Sequence, residues 1–363
     1  MLKWLRQASV AVAVTIAVCV ISSHQLVLAK SGVLSPADLE RPSELPAAVT
    51  EQSGKLLLSD SPEMVPDDGI MYQDTVSGDI RLFFHHVNAT MEPKKIVVLL
   101  VNDTTEAADV IVSRHGLGGP DVDYLAVGKI AQMEYLNQEE VELIHVPANG
   151  TAHLVSVLRD TVVLPNELVN GIYDFRTKIP LKVVVMMLPV EAEAAEFAAT
   201  AAVLPADSQR LRGTFHGSDR LIVPSKVYNS KKDGIIAITL ADHKRDMYVS
   251  GIDATDGSET LNYGNYGVVY KVFLPTAFEQ KYAVYLNPRG GEYAGGIKVK
   301  YRHQHENTIG TPADKLFFGT KTVTDAAHLG NYEGGQSLWL TFSPPGASNL
   351  PVKIILAPAG KTE

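Results

Sequence analysis

Two histidines near the C-terminal end of the chain have the spacing best suited to binding a metal. They lie in the run Tyr301-Arg302-His303-Gln304-His305-Glu306. In a β-strand, side chains at i and i+2 point to the same face, so His303 and His305 could bind one ion. Spacing fixes no third ligand, although His243 and His328 are candidates. A solvated strand end is therefore the alternative interpretation.

A carboxylate-rich segment, Asp253-Ala254-Thr255-Asp256-Gly257-Ser258-Glu259, offers the oxygen ligands that calcium prefers. The acidic spacing of an EF-hand loop is absent, so a solvated turn is the simpler interpretation. The same holds for Asp121 and Asp123. We expect a chain without a cofactor, and bound copper or bound calcium is the alternative.

The other histidine pair, His85 and His86, is poorly placed to bind one metal ion. These residues are adjacent, so on a strand they face opposite sides, and one of them is expected to be buried and hydrogen-bonded.

Two common hydrolase routes lack support. The sequence contains no Gly-x-Ser-x-Gly motif, and its single cysteine is Cys19. The glycine-rich runs around residues 114–120 and 287–291 do not fit a phosphate loop.

A tyrosine-rich segment, Asn262-Tyr263-Gly264-Asn265-Tyr266-Gly267, is the best candidate for a recognition surface. Exposed Tyr263 and Tyr266 could form a binding or packing surface, because tyrosine is enriched at interfaces. The alternative is a tyrosine-rich entry into a strand.

Composition excludes several classes of protein. The chain has 363 residues, a net charge of -9 and 20% charged residues, which is typical of a globular protein. An acidic chain without a basic block is a poor nucleic-acid binder, because neutralising phosphates requires clustered Lys and Arg. One cysteine excludes a disulfide scaffold and a cysteine-rich zinc or iron–sulfur site.

The N-terminus predicts export. Lys3 and Arg6 precede an apolar run at residues 8–21, and cleavage after Ala29 fits signal peptidase, so residues 1–29 are expected to be a signal peptide. An uncleaved anchor and lipidation of Cys19 are alternatives. Cleavage leaves 30 basic residues against 41 acidic ones, a net charge of -11, and no membrane span. We expect an extracellular or cell-envelope location.

Hydrophobic patterns predict an all-β fold with two tandem immunoglobulin-like β-sandwich domains, one short helical insertion at 124–136 and an Ala-rich connector. The predicted segments are a flexible N-terminal arm at 30–66, domain 1 at 67–190, the connector at 191–207 and domain 2 at 208–363. The predicted strands include 80–87, 95–102, 110–113, 141–146, 153–158, 181–188, 221–223, 235–240, 268–273, 282–286, 297–302, 338–342 and 352–356. Asn149-Gly150 and Asn170-Gly171 predict tight turns.

The two halves show a weak internal repeat. At an offset of 185, residues 83–87 align with 268–272, and residues 97–102 align with 282–287. Both segments of the second pair end in Asn. A tandem duplication explains this pattern. The alternative is that any two β-sandwich domains share such patterns.

Four segments together resemble a family of secreted proteins from spore-forming, Gram-positive-type bacteria that are often labelled copper amine oxidase-like. They are Gly118–Lys129, Arg212–Arg220, Gly251–Val268 and Leu286–Tyr293. The resemblance covers about residues 72–358 and implies secretion, but it supplies no activity. Copper amine oxidases form a quinone from Tyr in Asn-Tyr-Asp/Glu, and here Gly264 and Gly267 replace the acidic residue, which argues against that chemistry.

The sequence therefore predicts an exported, non-catalytic protein with a structural or binding role at the envelope, whose partner is an envelope protein or a polysaccharide. The alternatives are a metal-binding or carbohydrate-binding accessory module and a copper-dependent amine oxidase-like enzyme.

Overall fold

β-Strands dominate residues 34–359, which, apart from Ser53, Ser218, Lys321 and Thr322, are the residues that the computed structural model describes. The predicted signal peptide and Cys19 lie outside these residues. The first ten strands are β1 (Ser43–Glu44), β2 (Ala47–Gln52), β3 (Lys55–Ser59), β4 (Met64–Val65), β5 (Gly69–Asn88), β6 (Lys94–Asn102), β7 (Ala108–Asp121), β8 (Glu142–Val146), β9 (Gly150–His153) and β10 (Leu168–Pro189). The others are β11 (Arg212–His216), β12 (Asp219–Pro224), β13 (Ile236–Leu240), β14 (Ser250–Ile252), β15 (Glu259–Leu261), β16 (Tyr270–Phe273), β17 (Lys281–Pro288), β18 (Gly295–Tyr301), β19 (Asn307–Thr311), β20 (Ala327–Glu333), β21 (Leu338–Phe342) and β22 (Val352–Pro358).

Helices are few and short. They are α1 (Pro36–Glu40), α2 (Tyr124–Asn137), α3 (Ala194–Thr200), α4 (Ser230–Asp233) and a 3-10 turn at Ser156–Arg159. α2 confirms the predicted helical insertion, and it begins where the Asp123 carboxylate accepts the Ala126 N–H at 3.1 Å. The predicted strand at 153–158 is wrong, since β9 ends at its first residue. Across the described residues, no helix is long and apolar enough to cross a membrane.

The strands form three sheets, so the predicted all-β class is confirmed. The largest has eleven strands, with β15-β14-β11-β3-β5-β10-β6-β9 in order and β4, β7 and β8 attached. A six-stranded sheet runs β19-β18-β21-β16-β12-β2, and a five-stranded sheet runs β1-β13-β22-β17-β20.

The segment predicted as a loosely attached arm, 30–66, is part of the sheets over its described residues. β3 pairs with β5 in parallel and with β11 in antiparallel fashion. Its side chains alternate between two cores: Leu56 and Leu58 pack in one, and Leu57 packs in the other. All three are fully buried, because a strand covered on both faces carries an unbroken apolar run.

β5 and β10 form the longest pair in the fold. Their antiparallel register runs from Leu168 opposite Val87 to Met187 opposite Gly69. Asn170-Gly171 lies inside β10, so the predicted tight turn there is wrong. A Cβ on Gly171 would lie 2.3 Å from the Phe84 ring, and glycine is required by this close approach. The Asn170 amide donates to the Phe84 carbonyl at 2.7 Å.

The proposed connector, 191–207, does not separate the sheets. β3 and β11, which lie on either side of it, are hydrogen-bonded neighbours, and β2 pairs with β12. The two large cores nevertheless follow the two halves approximately, one drawn mostly from residues before the connector and one mostly from residues after it.

A partly buried arginine joins the two halves. Arg81 on β5 forms a bidentate pair with Asp174 on β10, with Nε 2.6 Å from Oδ1 and Nη2 3.2 Å from Oδ2. It also pairs with Asp219 on β12 and donates to the Gly267 carbonyl at 3.1 Å. The Tyr135 hydroxyl of α2 donates to Asp174 at 2.8 Å. One guanidinium therefore holds residues from both halves, and the adjacent carboxylates keep the pKa of Arg81 well above its usual range, against the effect of burial.

We predict that Arg81→Met lowers the free energy of unfolding by about 3 kcal/mol or more, because two partly buried carboxylates lose their counter-charge. Urea denaturation followed by tyrosine and tryptophan fluorescence measures the change. The matched control is Arg176→Met, whose pair with Asp79 is 66% and 71% exposed, so the cost should stay below about 1 kcal/mol. Equal costs for the two variants would contradict the central role of Arg81.

Candidate functional site

The tyrosine-rich segment forms a tight turn held by two fully buried asparagines. The Asn262 side chain accepts the Tyr266 N–H at 2.9 Å and donates to the Tyr266 carbonyl at 2.8 Å. The Asn265 side chain accepts the Val249 N–H at 2.9 Å and donates to the Tyr270 hydroxyl at 2.8 Å. Asn265 adopts a φ of 54°, a left-handed conformation that asparagine tolerates.

The turn places its two tyrosines in different surroundings. Tyr263 is 49% exposed, whereas the Tyr266 ring packs on Phe83 at 6.0 Å, and its hydroxyl donates to the Ser348 carbonyl at 2.7 Å. Burial, then the Asp60 and Glu63 carboxylates, raises the pKa of Tyr266. Tyr263 is thus available for recognition, and Tyr266 anchors the turn.

Three further residues extend this surface, of which His243 and Met247 are exposed and Tyr248 is half-buried. His243 stacks on Tyr248 with centroids 4.6 Å apart and 15° between the planes, and Tyr248 meets Tyr263 edge-to-face at 6.0 Å. Met247 beside them is 54% exposed. We call His243, Met247, Tyr248 and Tyr263 the aromatic patch. Sequence reasoning missed Tyr248, because it lies fifteen residues from Tyr263 with no local pattern that connects them.

The loop that carries His243, Met247 and Tyr248 is held by carboxylates. Asp242 accepts the backbone N–H groups of residues 244, 245 and 246 at 2.8–3.0 Å. Asp246 is buried and accepts both the Ala241 N–H and the Tyr270 hydroxyl at 2.6 Å. The Tyr248 N–H donates to His243 Nδ1 at 3.1 Å, which leaves the other ring nitrogen, Nε2, to carry the proton of the neutral imidazole. The patch is therefore pre-organised by bonds that reach the core.

Two carboxyl groups lie near the buried side of Tyr266. Asp60 is buried, and its Oδ1 has no hydrogen-bond partner among the described residues. Burial, then Glu63 and Asp207, raises the pKa of Asp60 well above its usual range, and burial, then Asp207, raises that of Glu63. These groups can hold a proton at a higher pH than ordinary carboxyls.

His85 and His86 lie beside these carboxyls and are both buried. His86 Nδ1 is 2.9 Å from the Pro62 carbonyl, which only accepts, so Nδ1 carries the proton and Nε2 accepts the Ser59 hydroxyl at 2.7 Å. This confirms the expectation of a buried, hydrogen-bonded histidine. Burial and His86 lower the pKa of His85 to about 3, and burial lowers that of His86 to about 4.

The candidate metal ligands His303 and His305 lie in the turn between β18 and β19, not on a strand. The premise that both project from one strand face is therefore wrong. His303 and His305 are exposed, and His305 Nδ1 is 2.8 Å from the Glu306 carbonyl. His328 pairs instead with Asn331 at 3.2 Å and packs 5.0 Å from Tyr285. Within the described part of the chain, no three His, Cys, Asp or Glu side chains are grouped so as to hold a metal.

The carboxylate-rich segment forms a turn whose side chains are engaged by the protein. Asp253 is buried and pairs with Arg212 Nε at 2.7 Å, and it accepts the Thr255 N–H at 3.0 Å. Asp256 pairs with Arg210 at 2.7 Å. Asp123 caps α2, and Asp121 accepts the Asp123 N–H at 2.8 Å. These bonds explain the carboxylates without an ion.

Comparison with known proteins does not identify the chain. No family model and no curated protein matches it. Among solved structures, a Paenibacillus xanthan lyase is 9% identical with a TM-score of 0.19, and the match covers 90% of this chain but only 27% of the lyase. A point mutant of Bacillus subtilis oxalate decarboxylase (9% identity, 85% and 78% covered, TM-score 0.12) and tomato vicilin (9%, 78% and 76%, 0.11) are similarly distant.

We predict that the buried histidines make stability fall on acidification. The unfolded chain binds their protons near pH 6.5, whereas the folded chain resists them down to about pH 3 for His85 and about pH 4 for His86. Between these values each histidine costs about 1.4 kcal/mol per pH unit. Asp60 and Glu63, whose folded pKa values are raised, act in the opposite direction.

Urea denaturation at pH 7, 6 and 5 tests this prediction. Relative to the wild type, His85→Gln and His86→Gln should each lose less stability between pH 7 and pH 5, whatever their stability at pH 7. The exposed His216→Gln variant controls for the loss of a histidine. Identical slopes for wild type and both buried-site variants would show that neither histidine is held neutral.

Proposed function

We propose that this chain is a non-catalytic, exported protein of the extracellular space or cell envelope, and that its aromatic patch binds a polysaccharide. The observation that carries the proposal is the patch itself: the rings of Tyr263 and His243 are exposed, and they lie on two loops that buried asparagine and aspartate side chains fix in place. A pre-organised surface loses less conformational entropy on binding than a mobile one.

The chemistry of the patch suits a sugar. Tyrosine combines an apolar ring face with a polar hydroxyl, and a pyranose ring likewise combines an apolar face of C–H groups with a rim of hydroxyls. The ring face of Tyr263 can cover the former, and the hydroxyls of Tyr263 and Tyr248 and His243 Nε2 can bond the latter. A net charge of -11 after cleavage disfavours a strongly anionic polymer, so a neutral polysaccharide fits best.

Export rests on the N-terminal pattern of Lys3, Arg6 and the apolar run that follows. The tandem immunoglobulin-like arrangement is likewise part of the proposal. It is supported by the internal repeat, in which Asn102 is the last residue of β6, Asn287 is the penultimate residue of β17, and both are fully buried. Two other functions compete with this proposal in the tests: binding of an envelope protein and copper-dependent oxidation.

We predict that Tyr263→Ala weakens binding to a neutral polysaccharide about fivefold or more, because one stacking ring contributes about 1 kcal/mol. Retention on insoluble cellulose, chitin and purified cell-wall glycan measures binding, and Tyr248→Ala should act in the same direction.

The matched control is Phe278→Ala, which removes an aromatic ring that is 75% exposed outside the patch. It should leave retention unchanged. Retention on none of these polymers by the wild type, or equal retention of Tyr263→Ala, would overturn the proposal. Peroxide release from amines after copper loading would favour the oxidase instead.

A further inference from the structure

The Ala-rich connector covers a cavity on the far half of the eleven-stranded sheet. The cavity has a volume of about 320 Å³, and its walls come from β6, β9, the 3-10 turn and the residues just before α3. Val97 and Ala194 form its buried apolar part. This volume lies at the lower end of the sizes of small-molecule sites, about 300–1,000 Å³.

Two nitrogen groups in this cavity have capacity to bind a ligand. The Lys95 ammonium donates to the Ala192 carbonyl at 3.0 Å, which fixes its position and leaves two of its three protons. The His153 ring has no hydrogen-bond partner among the described residues, and its Nδ1 is buried. Because a buried nitrogen without an acceptor is best left unprotonated, the proton of the neutral ring lies on Nε2.

The remaining charged groups in the walls are paired or outward-facing. Arg159 pairs with Asp160 at 2.9 Å, and both side chains are mostly exposed, at 65% and 75%. Glu193 is also exposed. The cavity thus offers a cationic donor from Lys95 and a neutral N–H donor from His153, together with carboxylate acceptors at its rim. This combination matches a ligand with one carboxylate and several hydroxyl groups, and it disfavours a phosphate dianion, which the rim carboxylates would repel.

We propose that this cavity binds a sugar acid, with the ligand carboxylate accepting from Lys95 Nζ and His153 Nε2 and its hydroxyls donating to Glu193 and Asp160. The ligand can be a free sugar acid or a terminal uronic residue of a glycan, since both present the same group. The cavity strands β6 and β9 lie at the opposite end of the eleven-stranded sheet from β14 and β15, which flank the aromatic patch. The site does not depend on the function proposed for that patch.

Binding is coupled to a proton. Burial, then Arg159, lowers the pKa of His153, and Lys95 adds to this, while Asp160 and Glu193 oppose it. A bound carboxylate stabilises the imidazolium and raises that pKa. Affinity for the ligand therefore rises as the pH falls.

Calorimetric titration of the full chain with glucuronate, at pH 5.5 and pH 7.5, tests the site. Glucose is the uncharged matched ligand, and an oligosaccharide ending in glucuronate separates the glycan-terminal source from the free acid. We expect saturable glucuronate binding that is tighter at pH 5.5, and no binding of glucose. Lys95→Met should weaken binding about tenfold, as expected for the loss of a charged hydrogen bond of about 1.4 kcal/mol.

His153→Gln should abolish the difference between the two pH values while retaining the Lys95 contact. Lys231→Met, which replaces an exposed lysine on α4, should bind glucuronate as the wild type does. If a cavity variant fails to fold, the NMR shift of the His153 ring of the wild type on adding glucuronate decides the matter. No saturable binding at either pH, or no effect of Lys95→Met, would overturn the proposal.

Discussion

The joining of the two cores depends on one interaction: Arg81 lies between Asp174 and Asp219 and pairs with both. Its guanidinium contacts β10, the start of β12 and the Gly267 carbonyl, and Tyr135 of α2 contacts both the arginine, at 5.7 Å from its ring centroid, and Asp174. Such a partly buried pair adds little net stability over an apolar substitute, but breaking it is costly, so it favours one arrangement of these segments over others.

The same junction explains why β3 is central. A strand that faces two cores must be apolar on both sides, and Leu56, Leu57 and Leu58 provide this in β3. Those leucines were visible in the sequence, but the Pro-, Ser- and acid-rich residues around them dominated the composition of the segment. Pairing with β5 and β11 is a long-range contact that composition cannot reveal.

Local signals in the sequence predicted what local physics controls. The roughly three- to four-residue spacing of Leu125, Ile130, Met133 and Leu136 predicted a helix at 124–136, and α2 lies there. The predicted apolar face is not the one that packs, since Ile130 is 55% exposed and Val127, Ala131 and Tyr135 are buried instead. The turn predicted at Asn170-Gly171 is wrong, because this glycine makes room for the Phe84 ring and does not form a turn. His303 and His305 were assigned to a strand that ends two residues before the first of them. The cavity histidine, His153, gave no signal, because its neighbours Lys95 and Arg159 converge only in the folded chain.

The two proposed binding surfaces share one structural logic, in which groups at the surface are positioned by bonds to buried or backbone atoms. Tyr263 and Tyr248 are fixed through Asn265, Tyr270 and Asp246, a chain of hydrogen bonds that ends within 3.9 Å of Arg220 in the core. Lys95 is fixed by the carbonyl of Ala192 in the connector. In each case the cost of ordering the side chain is met during folding, so less of it falls on binding. Because the connector supplies a wall of the cavity, its role extends beyond linking the two halves: a change in its path would alter the position of Lys95 and, with it, the charge that a ligand meets.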